Sequence, residues 1–586
     1  MRQQTMISGD FRRSKHPGWT AVFCFAVFLG PLFSMAQNRY DILITEFLPD
    51  PSPTAGLPES EFIELRNHSA QDYNLHNWKI SNGNTTATIK TDYILKKDSF
   101  LILCNVSASS AFALSGSTLG LTGFPALNND AGKIILSTDA GKVMHALEYD
   151  KSWFQNELKA EGGWSLEMID LSDPCTGKGN WTASHSVTGG TPGTKNSADA
   201  ENPDEQPPSL LRTLAVDSLN LVLIFDEAVD SLSATDLSGY TILEGIGPPD
   251  SASALPPFFD RVLIHLQKPM ETGKIYDISA HRIRDCSGNE MSQHNSCKAG
   301  LPEFVKPADI IFNEILFNPP LDGYDYLELY NRSQKIVSCS DLFLAARDLA
   351  GNLKDPVVLI KENRSFFPGE YLLITENPEW ILQHYPLANR NQILTLNTLP
   401  SMPDDMGKVV LLNKPGEMVD ELDYDHHWHS PLLASESGVA LERIRPDLPT
   451  GQAANWTSAS APAGYGTPGY KNSESSADSP GSDFISIEPK IFSPDLDGYQ
   501  DFCFINYHLP AAGFMGSISI YDISDRMVCK LVNNILWGIS GSFRWDGLDD
   551  LKNPLPMGHY VIYAELFQTD GTIKKQKMVC TLARKN

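Results

Sequence analysis

The run Asp423-Tyr424-Asp425-His426-His427-Trp428-His429 sets three imidazoles among carboxylates, a mixture able to hold zinc. On an extended backbone His427 and His429 project to one side, yet they are two ligands where zinc takes three or four. Glu46 with Glu64, and Glu314 with Glu328, read as paired carboxylates. A glycosidase would need them about 5 to 9 Å apart, one with a raised pKa, beside a sugar cleft. Asp495, Asp497 and Asp501, around Gly498, make an Asp-x-Asp-Gly-x-x-Asp loop whose oxygens suit calcium as a cofactor. The spacing is not that of an EF-hand, and the competing reading is an Asp/Gly turn that opens a strand. Cys286 and Cys297 flank a short polar loop, Ser287 to Ser296, and form the expected disulfide. The sequence holds no His-Glu-x-x-His, Gly-x-Ser-x-Gly, phosphate-binding loop or Cys-x-x-Cys, and no catalytic residue is assigned.

The elements that must position these groups occur twice. Ile42-Leu43-Ile44-Thr45-Glu46-Phe47-Leu48-Pro49 answers to Ile310-Ile311-Phe312-Asn313-Glu314-Ile315-Leu316-Phe317, and Phe62-Ile63-Glu64-Leu65-Arg66-Asn67 to Tyr326-Leu327-Glu328-Leu329-Tyr330-Asn331. Phe100 to Leu103 matches Tyr371 to Ile374, and Gly132-Lys133 to Leu136 matches Gly407-Lys408 to Leu411. Both copies close on Asn-Trp-Thr, at Asn180 and Asn455, then Thr-Pro-Gly, at Thr191 and Thr467, then Lys-Asn-Ser. Each block is a short β-branched or aromatic run bounded by Gly, Pro, Asn or Asp, the signature of strands in a sandwich. Glu64 and Glu328 alternate with apolar neighbours and point to the opposite face from them. Only the stretch from Glu379 to His384 reads as a helical turn.

The duplication supplies an internal control. The counterpart of the histidine run is Glu148-Tyr149-Asp150-Lys151-Ser152-Trp153-Phe154, where Tyr, Asp and Trp stay and every His is replaced. Shared residues therefore read as structural, and the histidines as decoration of one copy. The glutamates recur in both copies, which favours a sheet-edge or turn-capping role over two active sites. The sequons at Asn180 and Asn455 carry a core Trp and read as structural too.

The ordered set resembles the lamin tail domain, an immunoglobulin-like sandwich. The resemblance rests on Glu46 or Glu314, on Glu64 or Glu328 followed by Asn, and on Trp153 or Trp428 after Tyr-Asp. Leu166-Glu167 or Leu441-Glu442 and the closing Asn-Trp and Thr-Pro-Gly complete it. The first copy also has Leu75-His76-Asn77-Trp78, whereas the second has Leu342-Phe343-Leu344 and no Trp. Phe225-Asp226-Glu227 and Ile283-Arg284-Asp285 resemble bacterial Ig-like domains of surface-layer and adhesin proteins. The stretch from Phe492 to Tyr563 resembles the FlgD-type Ig-like domain at the C-terminus of exported Bacteroidetes-like proteins, where it can serve in sorting or attachment. The resemblance implies interaction rather than chemistry.

Residues 1–36 read as a signal peptide, with Arg12, Arg13 and Lys15, an apolar run from Trp19 to Leu29, and Ser34-Met35-Ala36 before Gln37. That run is shorter than the roughly 20 residues of a membrane span, and nothing downstream approaches one. Removing Arg2, Arg12, Arg13, Lys15 and Asp10 with the leader takes the net charge from −26 to −29. Such a surface excludes general nucleic-acid binding. The expected fold class is all-β: a signal peptide, then four tandem immunoglobulin-like β-sandwich domains. The bounds are 37–197 (lamin-tail-like), 198–208 (acidic linker), 209–305 (bacterial Ig-like), 306–473 (lamin-tail-like), 474–482 (linker) and 483–586 (FlgD-like). The expected function is a noncatalytic, exported cell-surface protein for structure, adhesion or binding, with an extracellular or cell-envelope protein or glycan as partner. The alternative is a secreted metal-dependent hydrolase or nuclease with its site on a sandwich loop.

Overall fold

The computed structural model describes residues 38–293, 295–348, 350–475 and 484–584. The stretch 1–36, expected to be a signal peptide, and most of the expected linker at 474–482 lie outside them. Short β-branched runs interrupted by turn residues form strands throughout. The fold is all-β, a tandem series of immunoglobulin-like sandwiches, each with its own core. The longest helix among the described residues is Pro378–His384, capped by Asn377. None is long and apolar enough to cross a membrane.

The two copies fold alike. In the first, one sheet runs in the order Trp181–Ala183, Leu166–Met168, Ile42–Leu48, Phe62–Asn67, Phe100–Asn105, Thr118–Leu121. In the second the same order reads Trp456–Ser458, Leu441–Arg443, Ile310–Leu316, Tyr326–Asn331, Tyr371–Thr375, Ile393–Thr395. The last pair is parallel in both. A second sheet, containing Ala131–Ser137 and Val143–Asp150 or Met406–Asn413 and Met418–Asp425, closes the core. The second copy has no counterpart of Trp78. Leu342 holds that place, and Phe366 stands where the first copy has Leu95, its carbonyl accepting from Asn331 as the Leu95 carbonyl accepts from Asn67.

A bulge interrupts each opening strand, between Ile44 and Glu46 and between Phe312 and Glu314. The extra residue breaks the alternation, so Ile44 and Phe47 both reach the core while Glu46 faces outward. Glu46 then lies directly opposite Glu64 on one side and Glu167 on the other. Glu314, Glu328 and Glu442 repeat this register.

Between the copies, Leu210–Ala215, Asn220–Phe225, Arg261–Leu266 and Pro249–Ala254 pack on Tyr240–Ile242, Tyr276–Ala280 and Ser296–Ala299. The last unit sets Ile485–Glu488, Cys503–His508 and Ser540–Trp545 against a sheet that contains Phe514–Asp522, Met527–Trp537 and Gly558–Phe567. Successive units touch. Arg39 lies 3.9 Å from the ring of Phe259, Arg261 meets Glu362 at 2.9 Å, and Ile539 N donates to the Ser473 carbonyl at 2.9 Å.

The cysteine pairing differs from the sequence expectation. Cys286 bonds Cys175 of the first copy, with Cα atoms 6.2 Å apart, and Cys297 is free. The Asp285-Cys286-Ser287 turn faces the first copy, where Ser287 Oγ donates to Asp173 at 2.6 Å. Cys297 is held on a paired strand, its thiol directed at the Leu210 carbonyl. Closeness along the chain thus lost to the directions in which the turn at Cys286 and the strand at Cys297 present their side chains. Non-reducing peptide mapping of chain made in an oxidising compartment is expected to recover Cys175 joined to Cys286. Recovery of a Cys286–Cys297 peptide would refute this pairing.

Candidate functional site

In each copy three carboxylates sit side by side on the outer face of the larger sheet, fully buried. The closing segment covers them and supplies most of their donors. Thr191 N and Ser165 Oγ donate to Glu46 at 2.8 and 2.6 Å, and Gly193 N and Thr45 Oγ1 both donate to Glu64 at 2.6 Å. Glu167 accepts from Thr191 Oγ1, Ser197 Oγ and Ala198 N at 2.7–2.8 Å. In the second copy Thr467 N and Oγ1 donate to Glu314, Gly469 N to Glu328, and Thr467 Oγ1, Ser473 Oγ and Glu474 N to Glu442. The Asn of each Lys-Asn-Ser ties the segment down further. Asn196 Nδ2 donates to the carbonyls of Thr45 and Met168, and Asn472 Nδ2 to those of Asn313 and Arg443.

The remaining shared residues are structural as well. Asn180 and Asn455 are buried and bond backbone carbonyls, so neither offers a glycan acceptor. Tyr149 OH donates to the Asn128 carbonyl, and a Cβ at Gly132 would lie 2.6 Å from that oxygen; Tyr424 and Gly407 repeat the contact. Asp150 and Asp425 cap the turns that follow them.

The bulge frees one backbone N–H per copy, and the copies satisfy it differently. Ile44 N donates to His145 Nδ1 at 2.9 Å, whereas Phe312 N donates to Asp420 Oδ2 at 2.8 Å. Burial pushes His145 down to about 3, so it stays neutral and needs no counter-charge. Asp420 is an acid at the same place, and a buried guanidinium, Arg443, replaces Met168 beside it, 3.8 Å away. Thr450 Oγ1 donates to Asp420 at 2.6 Å from the loop position that Cys175 occupies in the first copy.

The sequence expected His427 and His429 on one side of a strand. The chain instead leaves the strand at Asp425 and turns through a 3-10 helix, His426–Trp428. His429 is buried, its Nδ1 2.9 Å from Ser458 Oγ. His426 and His427 remain together, ring centroids 4.0 Å apart, with Glu436 at His426 Nδ1 and Asp425 at His427 Nδ1. The expected calcium residues Asp495, Asp497 and Asp501 do converge, with ligand oxygens within 4.8 Å of one another. They also organise the turn: Asp501 accepts from Leu496 N and Gly498 N, and Asp497 from Tyr499 N. A third group, Asp204, Glu227 and Asp285, which the sequence reading missed, forms where the first linker meets the next unit.

The lamin tail domain family model matches residues 35–151, the first part of the first copy. Comparison with curated proteins finds no match. Among solved structures the chain is similar to FlgD from P. aeruginosa at 25% identity, covering 14% of this chain and 62% of that one, with a TM-score of 0.13. It is also similar to the N-terminal part of the bacterial S-layer protein SbsC, at 17% identity over 29% and 40% of the two chains, TM-score 0.15. PorZ, a bacterial surface component of the type-IX secretion system of Porphyromonas gingivalis, matches at 11% identity over 90% and 69%, TM-score 0.16. The chain thus spans less than two thirds of the first two.

The buried acids generate a pH prediction. Burial raises Glu64 from an ordinary 4.5 to about 8, and burial with the Glu442 charge does the same to Glu314. A raised acid binds more protons folded than unfolded, so its stabilisation is complete below the unfolded value and falls as pH rises from 4.5 towards 8. By calorimetry the unfolding temperature of the duplicated units is expected to fall by several degrees from mildly acidic to mildly alkaline buffer, and E64Q/E314Q should flatten the decline. A parental profile already flat over that range contradicts it.

The copy-specific pair gives a second expectation. Arg443→Met leaves Asp420 buried without its cation and should destabilise the second copy by about 3 kcal/mol. Adding Asp420→His, the first copy's residue, should recover most of that loss. Additive effects in a double-mutant cycle of denaturant melts would rule the coupling out.

Proposed function

We propose that this chain is a noncatalytic, exported protein of the cell surface, a tandem array of sandwich units that binds or supports an extracellular or cell-envelope protein or glycan. The observation that carries the proposal is the Cys175–Cys286 disulfide. Disulfides persist in oxidising compartments outside the cytosol, and this one joins two consecutive units and stiffens the array. Residues of the intervening linker support the same joint: Asp204 N donates to Asp173, and Asn289 Nδ2 donates to the Asp204 carbonyl.

The second copy belongs to this reading as a second lamin-tail unit, because it repeats the sheet order and the glutamate clamp of the first. The noncatalytic reading is supported by the engagement of all six repeated glutamates with the closing segments, which leaves no acid pair of this set open to a substrate. The last unit is proposed for sorting or attachment, with calcium at Asp495, Asp497 and Asp501.

Protease treatment of intact cells that make the protein tests the proposal. The full chain is expected to be cleaved at the surface. A chain ending at Ser482 should be lost from the cell or fail to reach the surface. Full-length chain protected inside intact cells, with Cys175 and Cys286 reduced, would overturn it.

A further inference from the structure

The two copies differ most sharply in charge at the turn after the Tyr-Asp strand. In the first copy Lys151 fills this place, its Nζ 3.2 Å from Asp130, with Asp50 and Glu161 also adding to its stabilisation as a cation. The second copy retains two of these acids and has Asn318 in place of Asp50: Asp405 stands for Asp130, since its carbonyl accepts from His426 N as that of Asp130 accepts from Lys151 N. Glu436 stands for Glu161, five residues before the Leu-Glu strand in each copy. The ammonium is missing. Among the described residues no Lys or Arg forms an ion pair with Asp405, Asp425 or Glu436; His427 pairs with Asp425 and His426 with Glu436.

Packing does not account for those histidines. The His427 side chain is 75% exposed and that of His426 35%. The turn needs only the cap from Asp425, which Asp150 makes equally well to Ser152. What the histidines add is donor chemistry. His427 Nδ1 lies 2.7 Å from Asp425, and His426 Nδ1 lies 3.1 Å from Glu436. The Glu436 carboxylate at His426 Nδ1 fixes that ring's tautomer and leaves its Nε2 lone pair available, which is how metal-binding imidazoles are oriented, while an Asp425 oxygen and His427 Nδ1 lie side by side as ligand atoms. One ligand atom from each of Asp425, His426 and His427 already lies within 4.8 Å of the others.

We infer that Asp425, His426 and His427 bind a divalent transition-metal ion, with Glu436 orienting His426. The ion takes the place that the Lys151 ammonium holds in the first copy. Two imidazoles with one carboxylate favour zinc, nickel or copper over calcium, which prefers an all-oxygen shell. Three protein ligands leave at least one position of a zinc tetrahedron for water or for a donor on another molecule. This inference stands apart from the surface-protein proposal and would hold in any compartment.

The test is calorimetric titration of the chelator-treated mature chain with zinc chloride, in the presence of millimolar calcium. Saturable binding of one ion per chain is expected. His426→Lys with His427→Ser, the first copy's own residues, should weaken it at least about tenfold. His429→Phe, likewise a first-copy residue, should leave it unchanged. As a check that does not depend on how the double variant folds, the electron paramagnetic resonance spectrum of the parent chain with one equivalent of copper should show splitting from two imidazole nitrogens. No saturable zinc binding, undiminished binding in a folded double variant, or a copper spectrum without nitrogen splitting would each overturn the assignment.

Discussion

Three carboxylates cannot lie side by side out of water unless the chain brings donors to them, and that requirement organises both duplicated units. The closing segment delivers donors: Thr-Pro-Gly contributes two backbone N–H groups and a hydroxyl, the Ser of Lys-Asn-Ser a further hydroxyl, and the residue after it a backbone N–H. An unpaired buried acceptor costs roughly 1–3 kcal/mol, more if charged, so neither half is stable in this form without the other. Two of the three glutamates come from the opening strands, and their closing-segment donors lie 129 to 153 residues later. The clamp therefore closes each unit end to end. It also explains the bulge, without which Glu46 would face the core with Ile44.

Much of this was legible in the sequence, for reasons that can be named. Strand runs bounded by turn residues identified sandwiches, and the duplication separated shared residues from unique ones. The pairing of Glu46 with Glu64 was visible as a recurring pair, and its structural character followed from the recurrence. What sequence could not reveal was the third acid. Glu167 and Glu442 appeared only within a Leu-Glu pattern, because their neighbours in the sheet lie far away along the chain. Nearness in sequence points Cys286 to Cys297, whereas the fold sets it against Cys175. A signal for Cys175 existed: the same loop position in the second copy is Thr450. The histidine run misled because alternation was extended past Asp425, where a capped turn ends the strand.

The differences between the copies are coupled substitutions. A neutral imidazole at position 145 is compatible with Met168 and leaves the nearby loop free of any duty to that site, apart from the Pro174 carbonyl 3.2 Å from His145 Nε2. A carboxylate at position 420 draws in Arg443, whose Nε and Nη1 bond the carbonyls of Phe312 and Leu448, and occupies Thr450 as well. The second solution uses the loop internally. The first releases it, and Cys175 there reaches the next unit.

The same logic extends to the end of the second copy. Ser473 donates its hydroxyl to Glu442 and, through its carbonyl, accepts Ile539 N of the last unit. Glu474, buried just beyond, bonds Glu442 through its own backbone N–H. Both copies thus pass the clamp directly into the contact with the following unit, the first through Ala198, Asn202 and Asp204 and the second through Ser473. Opening a clamp would loosen the joint beside it. The buried acids that make each sandwich a closed unit are therefore also the anchor from which the chain runs into the next one.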